Sequence, residues 1–219
     1  MEQGYFITGT DTNAGKTWAT IALMRYFKLH GKTVVGMKPV ASGCLFHDGQ
    51  LKNEDALLIQ DNASVKIDYD LINPYAYELP VSPHIAGINN PVKLATIVEH
   101  FNTLKSLAEI VLVEGAGGWY APLNDYEDIS DLAKALAIPV IIVVAIRLGC
   151  INHAKLTWQA IQHSGIPCAG WIAMCADHDM LKRDENIQTI KMALNVPLLG
   201  VLPYLSSADF DLLADRLVL

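Results

Sequence analysis

Residues 4–17 read GYFITGTDTNAGKT, and they decide the fold. The first six, GYFITG, predict a strand, and residues 15–30 predict a helix that starts where the loop ends. Between them runs Gly9-Thr-Asp-Thr-Asn-Ala-Gly15-Lys16-Thr17. Glycines let such a loop turn tightly and bring backbone N–H groups close to phosphate oxygens. The helix start adds a partial positive charge. Lys16 can reach β- and γ-phosphates, and the Thr17 hydroxyl can hold Mg²⁺. The strict phosphate-loop pattern has glycine at position 10; here Thr10 stands there and the glycine is Gly9.

Outward from this loop, apolar runs alternate with helical patterns. Strands are expected at 4–9, 32–38, 109–114, 139–145, 167–174 and 197–202. Helices are expected at 15–30, 53–63, 93–107, 149–164, 182–194 and 208–217, with a short one around Ile129, Leu132, Ala133 and Leu136. In 93–107 the apolar residues Leu94, Ile97, Val98, Phe101 and Leu104 share one face. Several strands are almost continuously apolar, as strands buried on both faces are. The expected class is therefore α/β: a single domain, residues 1–219, with a mostly parallel sheet flanked by helices on both faces, of the P-loop NTPase type. In such sheets ligands bind beyond the carboxyl ends of the strands.

Composition narrows the function classes. The chain has 219 residues, 52% hydrophobic and 18% charged, which excludes a disordered chain. The longest apolar run, 140–146, is far below the roughly 18 residues of a membrane span, so no membrane contact is expected. The amino terminus, with Glu2, lacks the basic and apolar regions of a secretory signal, so a cytoplasmic location is expected. Net charge is −7 with a pI near 5.4, which argues against a nucleic-acid surface. The four cysteines show no CxxC spacing, and the seven histidines no HxxxH or HExxH pattern, so reduced thiols and no histidine metal site are expected.

The residues just after the strands carry the chemistry. Lys38 precedes Pro39 and ends the second strand; it is either a surface lysine or a second cation for a transferring phosphoryl group. Ser42 offers a hydroxyl to the same space. Asn53-Glu54-Asp55-Ala56 opens a helix, and Asp55 is either part of a cap or an Mg²⁺ ligand. Glu114 follows four apolar residues, where a metal-binding acid belongs, and Gly115, Gly117 and Gly118 leave backbone open behind it. Leu148-Gly149-Cys150-Ile151-Asn152 enters a second helix whose start is a possible anion site.

In order along the chain, YFITGTDTNAGKT, MKPVASG, NEDA, NPY, SPH, VEGAGGW, LGCINHA, GW and LLGVLPYL together resemble the dethiobiotin synthetase family. The resemblance implies a homodimeric P-loop enzyme that converts 7,8-diaminononanoate, CO₂ and ATP to dethiobiotin, ADP and phosphate. It implies nucleotide contacts from Asn13, Ala14, Gly15, Lys16, Thr17 and Trp18, from Asp55, from Glu114, Gly115, Ala116 and Gly117, and from Met174, Pro203, Tyr204 and Leu205. Thr17, Asp55 and Glu114 would serve Mg²⁺; Lys16 and Lys38 would be catalytic. Thr12 and Ser42 would meet the diamine, and Gly149, Cys150, Ile151 and Asn152 its carboxylate, across the dimer interface. Ala14 stands where the family usually has valine, and Met174 where it usually has an asparagine that can meet the adenine edge. Two other P-loop types compete. A cobyrinic acid amidase-like synthetase needs a glutaminase site, for which no Cys/His context is present. A partition- or septum-type ATPase, working as a nucleotide-switched binding module, carries a signature lysine where Asp11 stands here.

Overall fold

A computed structural model describes residues 4–219. The reading of the amino terminus around Glu2 lies outside the described residues. The chain runs through β1 (Gly4–Gly9), α1 (Lys16–Leu29), β2 (Val34–Met37), β3 (Val40–Ser42), β4 (Leu45–His47), β5 (Gln50–Lys52), α2 (Glu54–Asn62), α3 (Tyr69–Ile72), β6 (Tyr75–Tyr77) and α4 (Pro83–Ala86). It continues through α5 (Leu94–Lys105), β7 (Ile110–Gly118), α6 (Ile129–Leu136), β8 (Val140–Ala145), α7 (Cys150–Ser164), β9 (Cys168–Met174), α8 (Arg183–Leu194), β10 (Leu198–Leu202) and α9 (Phe210–Ala214).

Six strands form the central sheet in the order β10-β9-β8-β1-β7-β2, and every pairing in it is parallel. The continuously apolar segments are the buried strands, as expected. All six residues of β8, VIIVVA, are buried. Each of its valine and isoleucine side chains stabilises the fold by about 1.5–3 kcal/mol. Helix α5 buries Ile97, Phe101 and Leu104, with Leu94 and Val98 packed beside them. Helix α6 begins with a capping box between Asp128 and Asp131, which satisfies first-turn N–H groups locally.

Boundaries differ from the sequence reading in two informative places. Strand β7 does not end at Glu114 but continues through the glycines, because Gly118 pairs with Gly9 of β1. The closing helix is only Phe210–Ala214. Between β2 and α5 the fold adds elements with no sequence signal: a parallel pair of β3 with β6, an antiparallel hairpin of β4 with β5, and the one-turn helices α3 and α4. The hairpin turns at Asp48 and Gly49, both with positive φ, which suits a tight two-residue connection. This insertion forms one wall of the site.

Candidate active site

The first-strand loop crosses the carboxyl edge of the sheet. Asn13 and Gly15 take positive φ (59° and 86°), which turns the loop back into α1. Gly15 caps α1 without any side-chain hydrogen bond. The first-turn N–H groups of α1 are thus left to a ligand, as an anion site requires. Ala14 is fully buried beneath the loop.

Lys16 is only 6% exposed, and its Nζ donates to the Asp11 carbonyl at 3.0 Å. Burial and the neighbouring Lys38 push its pKa down to about 8, while Glu114, Asp55 and Asp11 partly offset them. A polyanion at this loop would restore the charge.

Lys38 is not a surface lysine. It is buried, and its Nζ donates to Glu114 Oε1 at 2.5 Å and lies 3.5 Å from Asp55 Oδ2. Burial disfavours the charge, but the Glu114 carboxylate and then Asp55 outweigh it and hold the Lys38 pKa above the usual lysine value. The Lys38 backbone is equally fixed. Its carbonyl accepts from Asn73 Nδ2 at 2.6 Å, and its N–H donates to the Ile72 carbonyl at 3.0 Å. The Tyr69 hydroxyl then donates to Asn73 Oδ1 at 2.9 Å and accepts from the Asn53 N–H at 2.7 Å. Burial pushes the pKa of that hydroxyl up to about 12, so it stays protonated and keeps donating. This chain of bonds ties the end of β2 to the start of α2.

Glu114 is fully buried. Its Oε1 also accepts from Thr17 Oγ1 at 2.9 Å, while its Oε2 is buried without a partner. Asn53 caps α2 by accepting from the N–H groups of Asp55 and Ala56, which leaves the Asp55 side chain free to face Lys38. Among the described residues no group of three or more His, Cys, Asp or Glu gathers as a metal site. The hard oxygens of Thr17, Asp55 and Glu114 instead fit Mg²⁺, which keeps waters and takes ligands from phosphates. The orphaned Oε2 of Glu114 is the observation that supports this fit.

A cavity of about 650 Å³ opens above these groups. Its lining includes Thr12, Asn13, Gly15, Lys16, Thr17, Trp18, Lys38, Ser42, Asp55, Glu114, Ala116 and Gly117, so most of the expected residues meet in one place. Gly115 is buried behind the wall. The buried Ser42 Oγ has no partner and is free to meet a ligand. The sequence reading missed Val40, Ala41, Asn53, Pro80, Val81, Ser82, Pro83 and Ala121, which complete the lining. Residues 80–83 had one available signal, the SPH motif, whose Ser82 Oγ lies 3.0 Å from His84 Nδ1.

A second cavity, about 170 Å³, adjoins the first through Gly15 and Trp18 and is lined by Met174, Cys175, Ala176, Pro203, Tyr204 and Leu205. The four residues expected to hold a carboxylate line neither cavity. Gly149 caps α7 with φ 94° and no side-chain bond, Asn152 is exposed, Ile151 is half-buried and Cys150 is buried. Just before them, Arg147 pairs with Asp11 of the phosphate loop at 2.9 Å.

Comparison with known proteins gives the family and the fold. A family model described as an AAA domain matches residues 3–210. The chain is 47% identical over 211 residues to the ATP-dependent dethiobiotin synthetase BioD of Nitrosospira multiformis, covering 95% of this chain and 92% of that protein. It is 42% identical over 212 residues to the protein of the same name from Cellvibrio japonicus, covering 96% and 93%. Among solved structures, the MinD cell division protein of Aquifex aeolicus superposes with a TM-score of 0.58 at 17% identity, over 93% of this chain and 83% of that one. A ParA family ATPase from Chlorobium tepidum gives 0.54 at 14% identity, over 94% and 86%. These two share the P-loop fold alone. The sequence relationship is far closer to the synthetases over nearly the whole length, and the chain belongs to the ATP-dependent dethiobiotin synthetase family.

Proposed function

We propose that this chain closes the ureido ring of dethiobiotin from 7,8-diaminononanoate, CO₂ and ATP, acting as one P-loop domain over residues 1–219 in the cytoplasm. The observation that carries the reading is the cluster of Thr17, Lys38, Asp55 and Glu114, of which Lys38 and Glu114 are buried, at the floor of a roughly 650 Å³ cavity that begins at the phosphate loop. A nucleotide-switched binding module needs room for its nucleotide alone, whereas this cavity continues past the phosphate loop to Ser42 and residues 80–83. Asp11 also stands where the partition ATPases carry their signature lysine.

The chemistry follows from what each group can do. One amine of the diamine adds to CO₂ to give a carbamate, which is a poor electrophile until its oxygen is phosphorylated. The free N–H groups at the start of α1 hold the nucleotide phosphates. Lys16, released from the Asp11 carbonyl, and Lys38 balance the charge on the γ-phosphoryl as it passes to the carbamate oxygen. Mg²⁺ held by Thr17, Asp55 and Glu114 would neutralise further phosphate charge. Ser42 and Thr12 line the side where the diamine lies, and Ser42 has a hydroxyl with no other partner. The second amine then attacks the carbonyl carbon of the mixed anhydride, the C–O bond to phosphate breaks, and the ring closes. Most of the rate comes from positioning and charge stabilisation.

The turn at Gly149, Cys150, Ile151 and Asn152 is proposed to complete the site of a second copy, by offering its uncapped helix start to the substrate carboxylate. Leu148, 94% exposed at the head of that turn, supports an interface there. The decisive experiment supplies ATP, Mg²⁺, bicarbonate and 7,8-diaminononanoate and measures dethiobiotin, with EDTA as the control. Dethiobiotin that forms with Mg²⁺ and not with EDTA supports the reading. No product, or product that survives chelation, overturns it or its metal.

A further inference from the structure

Asp11 places a carboxylate inside a loop built to hold phosphates. Its side chain has a local use: Oδ1 accepts from the Thr12 N–H at 2.7 Å, and a short side chain that bonds neighbouring backbone in this way helps to fix a turn. Its carbonyl seats the Lys16 ammonium at 3.0 Å. One residue thus shapes the loop and receives its lysine. The charge it carries opposes the polyanion that the loop is to bind.

Arg147 answers that charge. Its guanidinium donates to Asp11 Oδ2 at 2.9 Å, from 136 residues away in the chain. Its backbone is held on both sides. The Ile146 N–H donates to the Met174 carbonyl at 2.8 Å, and the Arg147 carbonyl accepts from the Cys150 N–H at 3.0 Å. The Val143 carbonyl of β8 accepts from the Thr10 N–H at 3.0 Å, so β8 and the turn after it hold Thr10 and Asp11 together. The other cations have their own tasks: Lys38 is engaged by Glu114 and Asp55, and Lys16 stands at the loop itself. Lys16, Lys38 and Arg147 together balance Asp11, Asp55 and Glu114, and without Arg147 the set is left negative.

We propose that Arg147 is the counter-ion of the phosphate loop: it cancels the Asp11 carboxylate, so that the loop keeps its shape without repelling nucleotide phosphates. It acts through Asp11 and lines neither cavity, which makes it a positioning residue. The pair is about half exposed, 42% for Arg147 and 50% for Asp11, so it adds little stability and its variants should fold. The inference rests on nucleotide binding at this loop and not on the synthetase chemistry.

Calorimetric titration of ADP with Mg²⁺, without the other substrates, tests it. Arg147→Ala should raise Kd about tenfold at low salt, and the loss should shrink at high salt. Arg147→Lys keeps the charge and should stay within about threefold of native. Asp11→Asn keeps the oxygen that Thr12 uses and drops the charge, so it should bind ADP at least as tightly as native. Adding Asp11→Asn to Arg147→Ala should restore native affinity. A pair that merely braced the loop predicts the opposite: every variant without the ion pair, the double one included, would bind more weakly. That result, or an unchanged Kd in Arg147→Ala, overturns the inference. If the native protein binds no ADP, the nucleotide reading of the loop falls and takes this inference with it.

Discussion

Replacing Glu114 by Gln should cost both stability and turnover, and the size follows from how the site is buried. Glu114 is fully buried and Lys38 has 8% of its side chain exposed, at 2.5 Å. Removing one member of a buried ion pair typically costs about 3–5 kcal/mol, because the other charge is left behind. Asp55 stays 3.5 Å from Lys38 but is 43% exposed, so it compensates only in part. We therefore expect about 3 kcal/mol, the lower end. For a domain of this size that lowers Tm by roughly 6–12 °C. Turnover should fall on the order of 10²-fold, since Lys38 loses the partner that positions it.

The pH dependence separates this cause from a packing defect. In the native protein the Lys38 pKa is raised. Its contribution is therefore full below the unfolded lysine value and is lost only as pH rises through the higher folded one. In Glu114→Gln the largest raising influence is gone and burial favours the neutral amine. The variant can then shed the Lys38 proton as pH rises, and its deficit should shrink between pH 7 and pH 9.5. Thermal unfolding of both proteins followed by circular dichroism at the two pH values measures this. A Tm loss under about 2 °C at pH 7, or an equal loss at both pH values, would refute the argument.

Lys16→Ala should lower turnover by on the order of 10²-fold or more with the fold intact, and near-normal steady-state rates would remove Lys16 from the phosphate site. With the free Lys16 pKa at about 8, nucleotide binding near pH 8.5 should take up a proton, because the phosphates raise that pKa. Calorimetry in buffers of different ionisation enthalpy detects the uptake, and it should disappear in Lys16→Ala. If the turn at 149–152 completes a second copy's site, sedimentation should give a species near twice 24.0 kDa, and a fully active monomer at every concentration would contradict the shared site.

The loop from Gly9 to Thr17, the buried parallel strands and the acid at 114 were legible because each is a local pattern. A phosphate loop is contiguous, and an apolar run betrays burial on both faces wherever it lies in the chain. Other features exist only once distant segments meet. The Lys38 ammonium is charged and fixed by a carboxylate 76 residues away, and Thr17 by the same group 97 residues away. The residues around Lys38 mark it as a candidate second cation, but they do not say that it is buried. The wall from Pro80 to Pro83 and the β3–β6 pair escaped notice because three-residue strands and one-turn helices are too short to show a period. Strand β7 runs past Glu114 through glycines that no propensity assigns to a strand, because the edge of β1 offers them partners. Residue types and their spacing decided which chemistry this chain could attempt. Packing decided which lysine is buried, which carboxylate oxygen is left open, and how much room stands above them, because desolvation and charge pairing depend on neighbours that only folding supplies.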